Sequence, residues 1–294
     1  MAGDHGQLSV TSETGGGARA WLLVALPCAF LLLCFVVPTA YLFSASVMIT
    51  DGMMPGDEPA LDNFQLLLGR PIYQNAILRT FGIGIGVGAL VVVLSYPVAY
   101  FLVRTPSRWK GALIALSLSP LLASVIVRTY GWYVILNRDG ALNSLMLWAG
   151  VIEAPLRMLP SNAAIILGLA HALLPYGILS IMTSLNAVNP ALERAAMSLG
   201  ATRTRTFLAV TLPLTLPGVA GGFLLAFSIA ISAYATPAIL GGPANETMAT
   251  LVRNFMLGLL DWGLGSAMGV ILLASSLVLL LISSLIAGRA KAAT

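Results

Sequence analysis

Six stretches of this sequence are long and apolar enough to cross a lipid bilayer, and they restrict the fold more than any other feature. They cover residues 21–48, 77–103, 111–136, 162–185, 217–240 and 264–287. A spanning helix needs about 20 mainly apolar residues. Because the bilayer interior offers no water to backbone N–H and C=O groups, such segments fold as helices. The sequence therefore predicts an all-α membrane protein with six transmembrane helices.

The composition agrees with a lipid environment. Charged residues make up 9% of the chain and hydrophobic residues 58%, with a mean hydropathy of +0.93. Soluble domains carry about 25% charged residues, so a chain this poor in charge cannot cover a water-facing surface. The net charge of +4 is spread along the chain, which argues against nucleic acid as a partner. No nucleophile–base set or metal-ligand cluster is evident, so neither catalytic residues nor a metal site are predicted.

The distribution of Lys and Arg predicts the orientation. The N-terminal tail, the turn at 104–110, the loop at 186–216 and the C-terminal tail lie on one side, and there basic residues outnumber acidic ones. On the other side, acidic residues outnumber basic ones. Because an excess of Lys and Arg marks the cytoplasmic side, both termini are predicted to be cytoplasmic.

The spans divide the chain into three parts. Residues 1–20 are polar and glycine-rich, which predicts a disordered cytoplasmic leader. Residues 21–48 form the first span, because their apolar run exceeds the roughly 7–15 residues of a signal-peptide core. Residues 75–287 hold the other five spans. The outer loop at 137–160 is predicted to contain a short interfacial helix with Trp148 at headgroup level.

The longest cytoplasmic loop, residues 186–216, has the pattern of two short amphipathic helices. Pro190 suits the first position of one helix, and Gly200 suits its C-terminal end. Thr202 can cap a second helix, which Pro213 is predicted to close before the fifth span. Such helices can dock into a groove of a partner protein, or they can simply cover the cytoplasmic ends of the spans. Amphipathicity alone does not separate these alternatives.

The residue spacing in this loop resembles a known motif. Ala195-Ala196, three residues, Gly200, nine residues, and then Val210-Thr211-Leu212-Pro213 is similar to the EAA loop of type I ABC importer permeases, in which Glu-Ala-Ala opens the same pattern. The resemblance implies that the loop couples the chain to an ATPase. The residues assigned to this role are Glu193, Arg194, Ala195, Ala196, Leu199, Gly200, Ala201, Leu212 and Pro213.

The match departs from the family pattern at one position. Arg194 stands where the family has Glu, and Glu193 lies one residue earlier, about 100° around a helix. In the family, the acid helps to hold the loop in a groove of the ATPase. Two alternatives follow: Glu193 takes over after a small rotation of the helix, or the groove of the partner differs.

Two further segments resemble the spermidine/putrescine permease subfamily, in particular the first permease chain of its pair. They are residues 127–160 and 170–184. The resemblance covers about residues 20–290 and implies a path for a small cationic solute such as putrescine or spermidine. Permeases for other small amines, amino acids or aminophosphonates share these features.

The resemblance also implies an assembly in the bacterial inner membrane. Its expected members are a second homologous permease chain, two ATPase subunits and a periplasmic solute-binding protein. A heterodimer of permeases is expected, and a homodimer is the alternative. The sequence contains no Gly-x₄-Gly-Lys-Ser/Thr motif, so we expect this chain to bind no cofactor itself, with ATP and Mg²⁺ held by the separate ATPase chain.

Polar and aromatic residues within or beside the spans are candidates for the substrate path, because such groups are costly in lipid. They are Arg128, Tyr130, Trp132, Tyr133, His171, Tyr176, Ser232, Tyr234 and Asp261. Other interpretations remain open: snorkelling for the arginine, an interfacial aromatic belt, or helix–helix hydrogen bonds for the histidine and the fifth span. A secondary transporter or a channel subunit is the rival class, although deep carboxylates for ion coupling are lacking.

Overall fold

The computed structural model describes residues 16–51, 54–59, 61–106 and 108–292, which are almost entirely helical. The long helices are α1 (Gly16–Ser46), α3 (Pro71–Arg104), α7 (Asn162–Ala187), α10 (Leu212–Ser232) and α12 (Trp262–Ala292). The shorter elements are β1 (Met48–Asp51), β2 (Met54–Pro59), α2 (Asp62–Gly69), α4 (Lys110–Leu122), α5 (Val125–Leu136), α6 (Ala141–Trp148), α8 (Pro190–Ser198), α9 (Arg203–Thr206) and α11 (Met248–Arg253). Three π-turns (Phe207–Thr211, Pro237–Gly241, Asn254–Gly258) and a 3₁₀ turn (Pro243–Asn245) complete the set.

The predicted membrane architecture is confirmed. Among the described residues, five helical segments are long and apolar enough to span a bilayer, and there are six if one bent pair of helices counts as a single span. The chain is therefore an all-α multi-pass membrane protein, apart from the small β1–β2 hairpin.

The third span is not the continuous helix predicted over 111–136. The segments Lys110–Leu122 and Val125–Trp148 meet at a bend of 98°. Ala123 and Ser124 between them have extended backbone, with ψ of 137° and 134°. Pro120 lies just before the bend, and a proline ring both lacks an N–H donor and crowds the preceding turn.

The fifth span also differs from its predicted limits of 217–240. The helical path begins at Arg203 and ends at Ser232, passing through the π-turn Phe207–Thr211. Pro213 does not close the preceding helix. It lies inside a continuous helical path, directly after the π-turn, where the Leu212 N–H donates to the Phe207 carbonyl. Ala233 has extended backbone (ψ 128°) and ends the span, so residues 233–240 lie beyond it.

The centre of the molecule is formed by α3, α7 and α10, which approach closely at small residues. An added Cβ on Gly177 of α7 would lie 2.6 Å from Val91 Cγ1 and Ser95 Oγ of α3. One on Gly222 of α10 would lie 3.3 Å from Gly177 Cα. Small residues of this kind let membrane helices pack backbone to backbone. Helix α1 packs on α12 at the periphery, and most of its side chains from residue 24 onward are exposed.

Two differences concern the N-terminal part. Residues 1–15 of the predicted leader lie outside the described residues, whereas residues 16–20 already belong to α1. Ala18, Arg19 and Ala20 are strong helix formers and extend the apolar helix toward its N-terminus. The hairpin β1–β2 and helix α2 were not predicted. The predicted outer helix is present as α6, and Trp148 at its end is exposed.

Candidate functional site: the loop at 186–216 and the polar residues of the spans

Helix α8 has a defined beginning and a defined end. The side-chain oxygen of Asn189 accepts a hydrogen bond from the Ala191 N–H at 2.9 Å. At the other end, the Ala201 N–H donates to the Ala196 carbonyl at 3.1 Å, and the Gly200 N–H donates to the Met197 carbonyl at 3.0 Å. This pair of hydrogen bonds is the Schellman motif, which needs a residue in the left-handed conformation after the helix. Gly200 supplies it with φ of +90°.

The second helix of the loop leads directly into the fifth span. The Thr202 hydroxyl accepts a hydrogen bond from the Arg205 N–H at 3.3 Å and so caps α9. From α9 the chain continues through the π-turn into α10 without a break in the helical path. The two helices, the glycine turn and the threonine cap predicted from the sequence are therefore present.

Glu193 points inward, toward the spans. Its Oε1 accepts a hydrogen bond from Arg104 Nη2 at 3.0 Å and another from the Thr211 hydroxyl at 3.0 Å. The side chains of Glu193 and Arg104 are each only 14% exposed. Arg104 is the last residue of α3, and Thr211 ends the π-turn before α10. This Glu193 cluster (Glu193, Arg104 and Thr211) therefore joins α8 to two membrane helices.

The other charged side chains of the loop point outward. Arg194, Arg203 and Arg205 are all exposed. Leu199, at the end of α8, is 89% exposed. We call Arg194, Arg203, Arg205 and Leu199 the basic surface. Of the remaining predicted coupling residues, Ala195 and Pro213 are exposed, whereas Ala196, Ala201 and Leu212 are half-buried. The structure thus gives Glu193 and Arg194 opposite orientations.

The predicted path residues do not form one site. Trp132 and His171 are in contact, because the indole N–H of Trp132 donates to His171 Nδ1 at 3.2 Å. Tyr130 and Tyr133 are exposed on α5 and lie edge to face, with ring centroids 6.4 Å apart. Tyr176 is half-buried against the central apolar cluster of α3, α7 and α10.

Arg128 lies at the break in the third span. Its guanidinium donates a hydrogen bond to the carbonyl of Pro120. In an unbroken helix that carbonyl would accept from the backbone N–H four residues later. Arg128 therefore satisfies a backbone group that the break releases.

The remaining path candidates have local partners. Tyr234 lies under the guanidinium of Arg253, 6.0 Å from the ring centroid. The Ser232 hydroxyl donates to the Ile229 carbonyl at 3.0 Å within its own helix. Asp261 Oδ1 accepts from the Leu264 N–H at 2.9 Å and so caps the start of α12.

Sequence reasoning missed several polar contacts between elements. The contacts of Glu193 with Arg104 and with Thr211 are two of them. The hydroxyls of Thr129 on α5 and Thr236 before the second π-turn are buried and lie 3.1 Å apart. A cavity of about 210 Å³ beside α11 is lined in part by Glu246. Apart from the location of Arg104 at a span end, no local sequence signal marks these residues, because their partners are distant in the chain.

Comparison with known proteins identifies the relatives of the chain. It is 32% identical over 212 residues to "Spermidine/putrescine transport system permease protein PotB" of Salmonella typhimurium (strain SL1344), covering 72% of this chain and 74% of that protein. The protein of the same description from Escherichia coli (strain K12) is also 32% identical, with 77% of its length covered. No family model matches the chain.

The fold is shared with solved transporters. The structure of a bacterial alginate ABC transporter in complex with an alginate pentasaccharide-bound periplasmic protein aligns with a TM-score of 0.76 at 19% identity, over 92% of this chain and 96% of that chain. The MetNI methionine ABC transporter aligns with a TM-score of 0.54 at 15% identity, over 80% of this chain and 99% of that chain. At these identities the likeness concerns the fold alone.

Proposed function

Because the chain belongs to the family of the spermidine/putrescine transport system permease proteins, we propose that it forms the membrane path for putrescine or spermidine in an ATP-driven importer. The solute would be delivered by a periplasmic binding protein, as in the alginate transporter complex that shares the fold. The chain would act in the bacterial inner membrane with both termini in the cytoplasm, as the excess of Lys and Arg on that side predicts.

The observation that carries the proposal is the connection between the cytoplasmic loop and the spans. Helix α8 is bonded to α3 through Arg104 and to the start of α10 through Thr211. Helix α9 is continuous with α10. A displacement of the loop would therefore reach two of the three helices at the centre of the molecule.

The work of transport would come from another chain. We propose two ATPase subunits that bind ATP and Mg²⁺, and a second homologous permease chain as partner in a heterodimer. Closure of the ATPases would move α8 and shift the spans between inward-open and outward-open states. Such a shift requires that the ATPases contact the two states differently.

The test is uptake of radiolabelled putrescine into proteoliposomes that contain the chain, its partner permease and its ATPase, with the binding protein added outside. We expect uptake that requires ATP inside and is reduced by excess unlabelled spermidine. Uptake that continues without the ATPase would refute the importer class. Uptake that is ATP-dependent for another solute but absent for both polyamines would refute the substrate.

A substitution in the loop tests its coupling role. Gly200→Val forces a β-branched residue into a φ of +90°, a conformation that is strained for such a side chain. We expect normal insertion into the membrane but strongly reduced uptake. Pro190→Ala, which removes no bond at the start of α8, serves as the control. Normal uptake by Gly200→Val would exclude the glycine turn from coupling.

A further inference from the structure

The loop contains one acidic residue, and its carboxylate is already bound within the chain. Glu193 Oε1 is shared between Arg104 and Thr211, both at 3.0 Å. To reach a partner protein, Glu193 would have to leave both donors. Arg104, whose side chain is only 14% exposed, would then lose its counter-charge. Breaking an ion pair that is largely buried is strongly unfavourable, because it leaves one charge without a partner. Rotation of Glu193 into the missing acidic position is therefore disfavoured.

The charges that remain for a partner are all positive. Arg194 occupies the position of the family's acid and is exposed, as are Arg203 and Arg205. The Asn189 cap and the Schellman turn hold α8 in one conformation, with Leu199 projecting at its end. A preorganised helix with an apolar tip fits a protein groove, since preorganisation reduces the entropy lost on docking. A fluid lipid surface gains little from such a fixed shape.

From the basic surface we infer that the ATPase subunit paired with this chain presents carboxylates to Arg194, and that this reversed charge determines which ATPase the chain accepts. The inference rests on the proposed function, because it assumes that the loop docks on an ATPase. Complementary charges across an interface select the correct partner mainly by penalising wrong ones. An ATPase whose groove is basic at this point would face Arg194 with a like charge and would be rejected.

The test is the affinity of the purified permease for its ATPase, measured in nanodiscs of zwitterionic lipid at two salt concentrations. For Arg194→Glu we expect binding at least 10-fold weaker and a smaller loss of affinity at high salt. Arg138→Glu is the matched control, since Arg138 is exposed on a different loop, and we expect it to bind as the wild type does. Replacing a groove carboxylate of the ATPase with Arg should restore binding to Arg194→Glu and weaken binding to the wild type.

The outcomes separate the inference from the function on which it rests. If the wild type binds the ATPase and Arg194→Glu binds equally well or more tightly, the charge-reversal inference is wrong and the importer assignment stands. If Arg194→Glu weakens binding only in nanodiscs of anionic lipid, the arginine contacts lipid headgroups, and the inference is also wrong. A wild-type permease that binds no ATPase would overturn the proposed function itself.

Discussion

Removing the charge of Glu193 should loosen α8 without unfolding the membrane core. In Glu193→Gln the side chain keeps its size, and its carbonyl can still accept from the Thr211 hydroxyl, but the ion pair with Arg104 is lost. Hydrogen bonds to charged groups contribute about 1.5–3 kcal/mol, whereas exposed ion pairs contribute at most about 1 kcal/mol. With both side chains 14% exposed, we expect a loss of about 2 kcal/mol in the free energy that opposes local opening of α8.

Amide hydrogen exchange of the isolated permease measures this quantity. When opening and closing are fast, the exchange rate follows the population of the locally open state. A loss of about 2 kcal/mol raises that population about 30-fold. We therefore expect the amides of residues 191–198 to exchange about 30-fold faster in Glu193→Gln, with no change in the centre of α7. Arg194→Gln, which also removes a charge from α8 but at an exposed position, should leave the rate unchanged.

A double substitution shows whether the effect comes from the pair. If Arg104 and Glu193 act on α8 mainly through each other, Arg104→Gln combined with Glu193→Gln should change the exchange rate little more than the single variants do. Equal exchange in Glu193→Gln and the wild type would refute the reasoning. The ion pair would then contribute nothing to the position of α8, and its proximity to the spans would have no mechanical consequence.

Two further substitutions test the packing of the spans. Gly177→Ala would place a methyl group 2.6 Å from atoms of Val91 and Ser95, and we expect a destabilisation of about 1–3 kcal/mol in denaturant unfolding; Gly82→Ala, with no atom within 4 Å, should show no loss. Trp132→Phe removes the donor to His171 and should lower the free energy of unfolding by about 1 kcal/mol. An unchanged unfolding midpoint would exclude a structural role for this hydrogen bond.

The parts of the molecule that follow from local chemistry could be predicted from the sequence. Apolar length predicted the positions of the spans. The Pro190, Gly200 and Thr202 signals predicted the ends of α8 and the start of α9. These features depend on residues within a few positions of each other.

The break in the third span illustrates what local chemistry does not decide. Pro97 and Pro175 lie inside α3 and α7, which continue through them, whereas the chain breaks after Pro120. A proline in a membrane helix is tolerated where neighbouring groups satisfy the released carbonyl. Whether the chain then continues or breaks depends on contacts beyond the local turn. One such contact is the hydrogen bond from the Arg128 guanidinium to the carbonyl of Pro120, which the break and not the proline ring releases. The Glu193 cluster is hidden for the same reason, since Arg104 and Glu193 are 89 residues apart in sequence.

If the loop docks on an ATPase as proposed, the position of Glu193 accounts for an arginine in the place of the acid of the EAA pattern. Two tasks have to be performed: the loop must hold its partner, and it must transmit movement to the spans. Under the proposed function the acid would perform the second task, because Glu193 is bonded to the ends of α3 and of the π-turn that precedes α10. The exposed Arg194 is then left for the first task. Because the two residues are adjacent on α8, a partner that pulls on Arg194 also pulls on Glu193, and through it on the central helices.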